Sequence, residues 1–276
     1  MIDKITQTFI KDYAEFMNGS GCGVLIQKKY VEQVDMPDVD DPGAMALGSF
    51  FEYHLSGALP KSGIIPQAVL MKNGDPTAEY RKAIESASLI KAMLQSYSLE
   101  IIQSGVKISD GKFEGTIDLI VEYTGSFQLE FENVVWNPAD RFIIDLKYSG
   151  LVSETTPRYN KHGWQWSEAQ KEYHGVQAKH YHYIGRLPFY FLVTQSNQKE
   201  GEKPRILFFY VPISQQEIDA HVSMASKYFD DFKRRSKLGF EPRPDYNRCS
   251  KCIWRNNCQE KHIWPHPVVV SLSSTE

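Results

Sequence analysis

Three of the four cysteines lie within ten residues of one another, and any fold for this chain must account for that. Cys249, Cys252 and Cys258 read C-x2-C-x5-C, and the fourth, Cys22, stands far upstream near the other end. A disulfide framework belongs to small secreted domains that cannot build a sufficient core. This chain has 276 residues, long enough to bury one without cross-links. Thiolates at such spacing converge readily on one metal centre. Two closures are open. Cys22 can supply a fourth thiolate and complete an all-cysteine iron–sulfur cluster. Alternatively His262 completes C-x2-C-x5-C-x3-H, a local Zn²⁺ knot. Spacing alone does not choose between them.

Composition removes other classes. Gly and Pro number 18 and 14, and charged residues make up 24%, which is ordinary globular usage. No apolar run approaches the ~18 residues of a membrane span. The first ten residues, MIDKITQTFI, lack an apolar signal core, so a cytoplasmic location is expected. The net charge of −3 gives no bulk basic signature. Its distribution is uneven: residues 110–145 carry net −6 and residues 227–261 net +5. An acidic middle and a basic tail suit a metal site beside a polyanion-binding surface, and equally two solvated faces of opposite sign.

Periodicity places the elements. A short helix is expected over Thr6 to Met17, then a Gly-rich turn carrying Cys22, then a loop over 31–43. A helix from near Pro42 carries LGSFFEYHL. Asp75-Pro76 has the pattern of an N-cap followed by proline at the first helical position, opening a helix to about Tyr97. KFEGTIDLIVEY alternates as a strand, with Phe113, Gly115, Ile117, Leu119 and Val121 on one face. Strands follow near 127–133 and over 141–148. Ser167 with Gln170 forms a capping box opening a helix to about Ile184. LPFYFLV and RILFFYV read as apolar strands. Ser214 with Glu217 forms a second capping box, with Ile213 and Ile218 as its hydrophobic staple. The order predicts a mixed α/β sheet flanked by helices.

The candidate chemistry sits on two of these strands and one helix. In FIIDLKYSG, Asp145 and Lys147 are two apart and share a face, while Phe142, Ile144 and Leu146 take the other. If the strand carrying Asp118 is its neighbour, the two aspartates converge. Hard oxygen ligands of this kind suit Mg²⁺ or Mn²⁺, and Lys147 beside them can orient water or stabilise charge on a phosphate. An isolated D-x-K is more often a structural salt bridge. Gln177 and Tyr181 are one helical turn apart, on a polar stripe reaching back to His174 and Gln170. Such a stripe suits phosphate or base contacts, or simply an ordinary wet helix face. Upstream, Glu52 and His54 are two apart on a helix and cannot both face one site.

Together these pieces resemble the PD-(D/E)XK nuclease superfamily in its RecB-like exonuclease branch. The motifs run in order: Gly48-x-x-x-Glu52, Gly115-x-x-Asp118, Asp145-Leu146-Lys147 and Gln177-x-x-x-Tyr181. The flanking cysteines, one before and three after, are similar to those of the four-cysteine 4Fe–4S exonucleases, which include CRISPR-associated adaptation nucleases and AddB-type nuclease domains. The resemblance implies a restriction-endonuclease-like fold in a single domain with its core at about 42–235, and cluster segments at 1–30 and 236–262. It implies a divalent-metal-dependent exonuclease acting on DNA, at single-stranded ends. Glu52, Asp118, Asp145 and the Leu146 carbonyl would hold Mg²⁺ or Mn²⁺, Lys147 would position the attacking water, and Gln177 and Tyr181 the strand. Cys22, Cys249, Cys252 and Cys258 would hold a structural 4Fe–4S cluster. A helicase, recombination or CRISPR-adaptation protein is the implied partner class. Many relatives carry His where Glu52 stands, and His54 is the nearby alternative. Other readings are a catalytically inactive DNA-end binding module, or a zinc-knot nucleic-acid binding protein.

Overall fold

The computed structural model describes residues 1–34, 43–60, 62–131, 134–150, 152, 168–256 and 258–261, with the backbone alone at 168–173, 246–247 and 251. Ser167, the Gln170 side chain and His262 lie outside the described residues. The chain divides into two compact units. One holds Lys4–Gln7 and Asp41–Ala225; the other holds Met1–Asp3, Thr8–Asp40 and Ser226–Glu276.

The larger unit is a mixed sheet between helices. Its elements are α3 (Gly43–Ser56), α4 (Ala78–Ser96), β1 (Leu99–Ser109), β2 (Glu114–Tyr123), β3 (Leu129–Phe131), β4 (Val134–Trp136), β5 (Arg141–Ser149), α5 (Glu168–Gly185), β6 (Phe189–Gln195), β7 (Ile206–Val211) and the first half of α6 (Gln215–Arg235). The central sheet runs β1-β2-β5-β6-β7, and β3-β4 form a separate two-stranded sheet. Of the described strand pairs in this sheet, β5 and β6 alone run parallel. They need a crossover, and α5 supplies it.

Strand alternation sends side chains to two cores. Phe142, Ile144 and Leu146 of β5 and Tyr190 and Leu192 of β6 pack with α3 and α4. Ile143 of β5 and Phe189, Phe191 and Val193 of β6 pack on the other face, with Ala178 of α5. Both faces of these central strands are therefore apolar, which is why LPFYFLV reads as a continuous run rather than an alternation.

Three expectations change. β1 is an eleven-residue strand that the periodicity did not indicate. The helix expected at Asp75-Pro76 starts at Ala78 with Thr77 as N-cap. The Asp75 carbonyl instead accepts from the Met71 N–H (2.7 Å), and Pro76 bridges Leu70, so both residues close a turn. The alternating residues expected on one face do not stay there along β2: Ile117 packs toward α5, whereas Leu119 and Val121 pack toward α3 and α4. The change falls where the ladder with β5 ends, at the Leu119–Ile144 pair.

The capping box at α6 forms as the sequence dictates. The Ser214 N–H and hydroxyl both reach Glu217 Oε2 (2.9 Å each), and the Glu217 N–H donates to Ser214 Oγ (3.3 Å).

The smaller unit is built from both ends of the described chain. It contains α1 (Gln7–Met17), α2 (Gly23–Ile26), a π-helical turn (Gln27–Val31), the second half of α6 and α7 (Tyr246–Lys251). Its core is aromatic. The Phe9 ring lies 5.3 Å from Tyr13 and 5.2 Å from Tyr30 and Phe232, and Phe16 lies 5.5 Å from Phe240. The Tyr13 hydroxyl, on the edge of that core, donates to Asp231 (2.8 Å).

Candidate active site

The acidic site forms where two neighbouring strands part. β2 and β5 pair antiparallel from Glu122–Arg141 to Leu119–Ile144. Two residues further along β5, a side chain takes the place of the backbone acceptor: the Leu146 N–H donates to Asp118 Oδ2 at 2.8 Å. The Asp118 side chain thus fills the opening and satisfies a backbone donor that the ladder has released. Asp145 is 2% exposed. A carboxylate so deeply buried needs donors, and it has them. Lys147 Nζ hydrogen-bonds Asp145 Oδ2, and Gln177 Nε2 hydrogen-bonds Asp145 Oδ1.

Glu52 arrives on α3 and completes the group. Burial and then the charge of Asp145 raise its pKa from its ordinary value, against the pull of Lys147. Asp118 is raised well above its ordinary value by burial and Asp145, with Glu52 adding to the effect and Lys147 and the Leu146 N–H opposing it. Burial acts against the charge on Lys147, but Asp145, Asp118 and Glu52 more than offset it, so the ammonium is held. Three carboxylates and one ammonium leave two net negative charges when all are ionised. That residual charge matches a divalent cation, and oxygen donors are the type Mg²⁺ and Mn²⁺ take. The donor set therefore fits such an ion in its chemistry. Among the described residues, however, no three His, Cys, Asp or Glu side chains stand arranged to hold one as they are.

Of the two upstream candidates, Glu52 faces this cluster. His54 instead packs its ring on Phe50 (4.2 Å), and its pKa is lowered by burial and by Lys91. The flanking Gly48 has no packing role in view: a Cβ there would meet nothing within 4 Å. Gly115 does. A Cβ would come within 2.5 Å of Tyr181 Cε1, so the bare backbone lets the Tyr181 ring lie on β2.

The polar stripe of α5 is not a wet face. His174, Gln177 and His180 are 6%, 8% and 0% exposed. His180 Nε2 meets the Glu114 carbonyl at 2.9 Å, and the His174 ring lies 5.7 Å from Phe191. Tyr181 hydrogen-bonds Gln177, and its pKa is raised by burial and by the charges of Asp145 and Asp118. Gln177 is therefore a direct partner of the acidic site. Sequence spacing put it on the right face but did not show that Asp145 is what it meets.

The cysteines gather in the smaller unit. Cys22, Cys249, Cys252 and Cys258 are each partly buried, and all four line one cavity of about 410 Å³. Burial raises the pKa of the Cys252 thiol, opposed by a backbone hydrogen bond at Trp254 and reinforced by Cys22, Cys258 and Cys249. Cys22 precedes α2, and its sulfur accepts from the Arg243 N–H at 3.5 Å. Gly23 explains the Gly-rich turn, because a Cβ there would meet the Glu241 carbonyl oxygen at 2.2 Å. Asp245 caps α7 by accepting from the Arg248 N–H (3.1 Å), which sets Cys249 inside that helix and Cys252 at its end. Four thiols around one cavity fit an all-cysteine metal centre in donor type.

No family model and no curated protein matches this chain. Among solved structures, a protein from Eubacterium rectale described as "Putative exonuclease" is similar in fold. The TM-score is 0.55 at 17% sequence identity, over 97% of this chain and 91% of that one. No described helix is long and apolar enough to cross a membrane. The five-stranded mixed sheet with helices on both faces is thus a fold that this chain shares with that protein.

Proposed function

We propose that the chain is a nuclease: a divalent-metal-dependent hydrolase of DNA phosphodiester bonds, working from single-stranded ends. The observation that carries this reading is the convergence of Glu52, Asp118 and Asp145 with Lys147 at the parting of β2 and β5. The fold shared with a protein described as an exonuclease supports it.

Glu52, Asp118, Asp145 and the Leu146 carbonyl would hold Mg²⁺ or Mn²⁺, and a bound cation of this kind lowers the pKa of water and screens charge on phosphate. The chain's own groups supply the rest. Lys147 keeps its proton among the carboxylates, so it can donate to an attacking water or to a phosphate oxygen. Gln177 fixes the orientation of Asp145 by occupying Oδ1. Tyr181, with its hydroxyl kept protonated, is a donor for the strand. The four cysteines would hold a 4Fe–4S cluster with a structural role in the smaller unit.

The test is substrate topology. Linear single-stranded DNA should be degraded to short products in Mn²⁺ while a circle of the same sequence survives. Cleavage of the circle at a similar rate rejects the exonuclease reading, and tight binding of both without cleavage favours the inactive DNA-binding module.

A further inference from the structure

Glu52 is the one acidic group that comes from a helix rather than from the sheet, so something must set the position of α3 against β5. The residue before Glu52 and the residue after Lys147 do meet. The rings of Phe51 and Tyr148 stack with centroids 4.5 Å apart and planes within 10°. Phe51 is fully buried. Phe51 and Glu52 are consecutive on α3 and turn away from each other by one helical step. Lys147 and Tyr148 are consecutive on β5 and point to opposite faces. The stack therefore joins the backbone that carries Glu52 to the backbone that carries Asp145 and Lys147, and does so without entering the polar site.

Tyr148 is itself held from behind. Its hydroxyl is buried beside Ser86 and Gln198, without an ideally placed hydrogen bond to either. Those two are fixed to each other, Gln198 Nε2 donating to Ser86 Oγ at 3.3 Å. Lys82 Nζ on α4 also holds the Gln198 carbonyl at 3.0 Å. The ring is thus wedged between α4, the segment after β6, and α3.

We propose that Tyr148 is a positioning residue: through its stack on Phe51 it sets Glu52 against Asp145 and Lys147, and so sets the geometry in which the carboxylates take a divalent cation. The claim rests on the metal-dependent reading of that site. The ring, rather than the hydroxyl, is what carries it.

The experiment is Mn²⁺ binding by titration calorimetry, counting only the heat that Asp145→Ala abolishes, with thermal melting alongside. Tyr148→Phe keeps the stack and should bind within twofold of wild type. Tyr148→Leu and Phe51→Leu lose it and should bind about tenfold more weakly. Leu94→Ala opens the same core in the last turn of α4; it should lower the melting temperature and leave Mn²⁺ affinity unchanged. Unchanged affinity in Tyr148→Leu overturns the proposal, as does a loss in Leu94→Ala equal to that in Tyr148→Leu. If Tyr148→Leu does not fold, Phe51→Leu decides in the same way. Wild type that binds Mn²⁺ but leaves DNA intact, with Tyr148→Leu binding about tenfold more weakly, refutes the nuclease reading while the positioning claim stands. Wild type that cleaves DNA, with Tyr148→Leu binding normally, refutes the positioning claim alone.

Discussion

Replacing Asp118 with asparagine should stabilise the metal-free protein at neutral pH. Asparagine keeps the side-chain size, and its Oδ1 can still accept from the Leu146 N–H, which sits 2.8 Å from the aspartate oxygen. What it removes is one of three carboxylate charges that a single ammonium does not balance. Like charges ~4–5 Å apart repel by about 3–4 kcal/mol at an effective dielectric of ~20. Protonation of the wild-type group and the charge of Lys147 discount this to about 1–2 kcal/mol net, within the usual span of single-site effects. For a unit of this size that is a rise of about 2–8 °C in melting temperature. The pH dependence follows from the raised pKa. The folded protein holds the Asp118 proton more tightly than the unfolded chain, so this group's contribution to wild-type stability is fully present below the ordinary carboxylate pKa and is lost as pH rises through the elevated folded value. The variant lacks that fall. The two melting curves should coincide in acid and separate toward neutrality, in EDTA. Mn²⁺ should reverse the order, because at a hundred times its dissociation constant a cation adds ~2.7 kcal/mol to wild type and much less to a variant missing a ligand. An Asp118→Asn protein less stable than wild type at pH 7.5 in EDTA would show that the carboxylates do not strain one another, and would refute the electrostatic account.

Other substitutions test other parts of the molecule. Gly23→Ala brings a Cβ to within 2.2 Å of the Glu241 carbonyl, and backbone must move to admit it. It should cost about 1–3 kcal/mol and lower the iron or zinc content of purified protein. Metal content unchanged by the substitution would show that the cysteine cavity does not depend on this close approach. His221 is buried, and burial, then His180 and Lys179, push its pKa down to about 3. The unfolded chain therefore binds a proton below about pH 6.5 that the folded protein refuses until near pH 3. Stability should fall by ~1.4 kcal/mol per pH unit across that window from this group. His221→Phe should flatten the acid limb by about one proton, and an unchanged slope by denaturant titration would locate the acid lability elsewhere. Gly115→Val should displace the Tyr181 ring from β2 and weaken strand binding more than Mn²⁺ binding. Equal loss of both would mean that the ring supports the acidic site itself.

Much of the frame was legible in the sequence where one signal acted alone. The Ser214–Glu217 box, the two apolar strands and the D-x-K strand follow from local chemistry. The failures came where signals overlapped. β1 is only half buried, carries Gly105 at positive φ, and shifts register between Ile101 and Gln103, so no clean alternation survives in LEIIQSGVKIS. Asp75-Pro76 suits a helix start and a turn equally, and the neighbouring Met71–Asp75 hydrogen bond decided for the turn. In the site, spacing placed Asp145 with Lys147 and Gln177 with Tyr181, but convergence is a property of strand order, which spacing does not contain. Only the adjacency of β2 and β5 brings Asp118 to Leu146. The buried stripe of α5 was misleading for a related reason. His174 and Gln177 look like a solvated face in composition, yet they are covered because their partners are an aromatic ring and a carboxylate. Tyr148 carried no signal in sequence at all, since its role is visible only through the ring it meets.

The most direct measurement is the degradation of end-labelled single-stranded DNA in Mn²⁺ by anaerobically purified wild type and Asp145→Ala side by side. Progressive shortening by wild type alone, abolished by EDTA, is the predicted result. Intact DNA with both proteins, or equal degradation by both, would contradict the assignment of the carboxylate cluster as a nuclease active site.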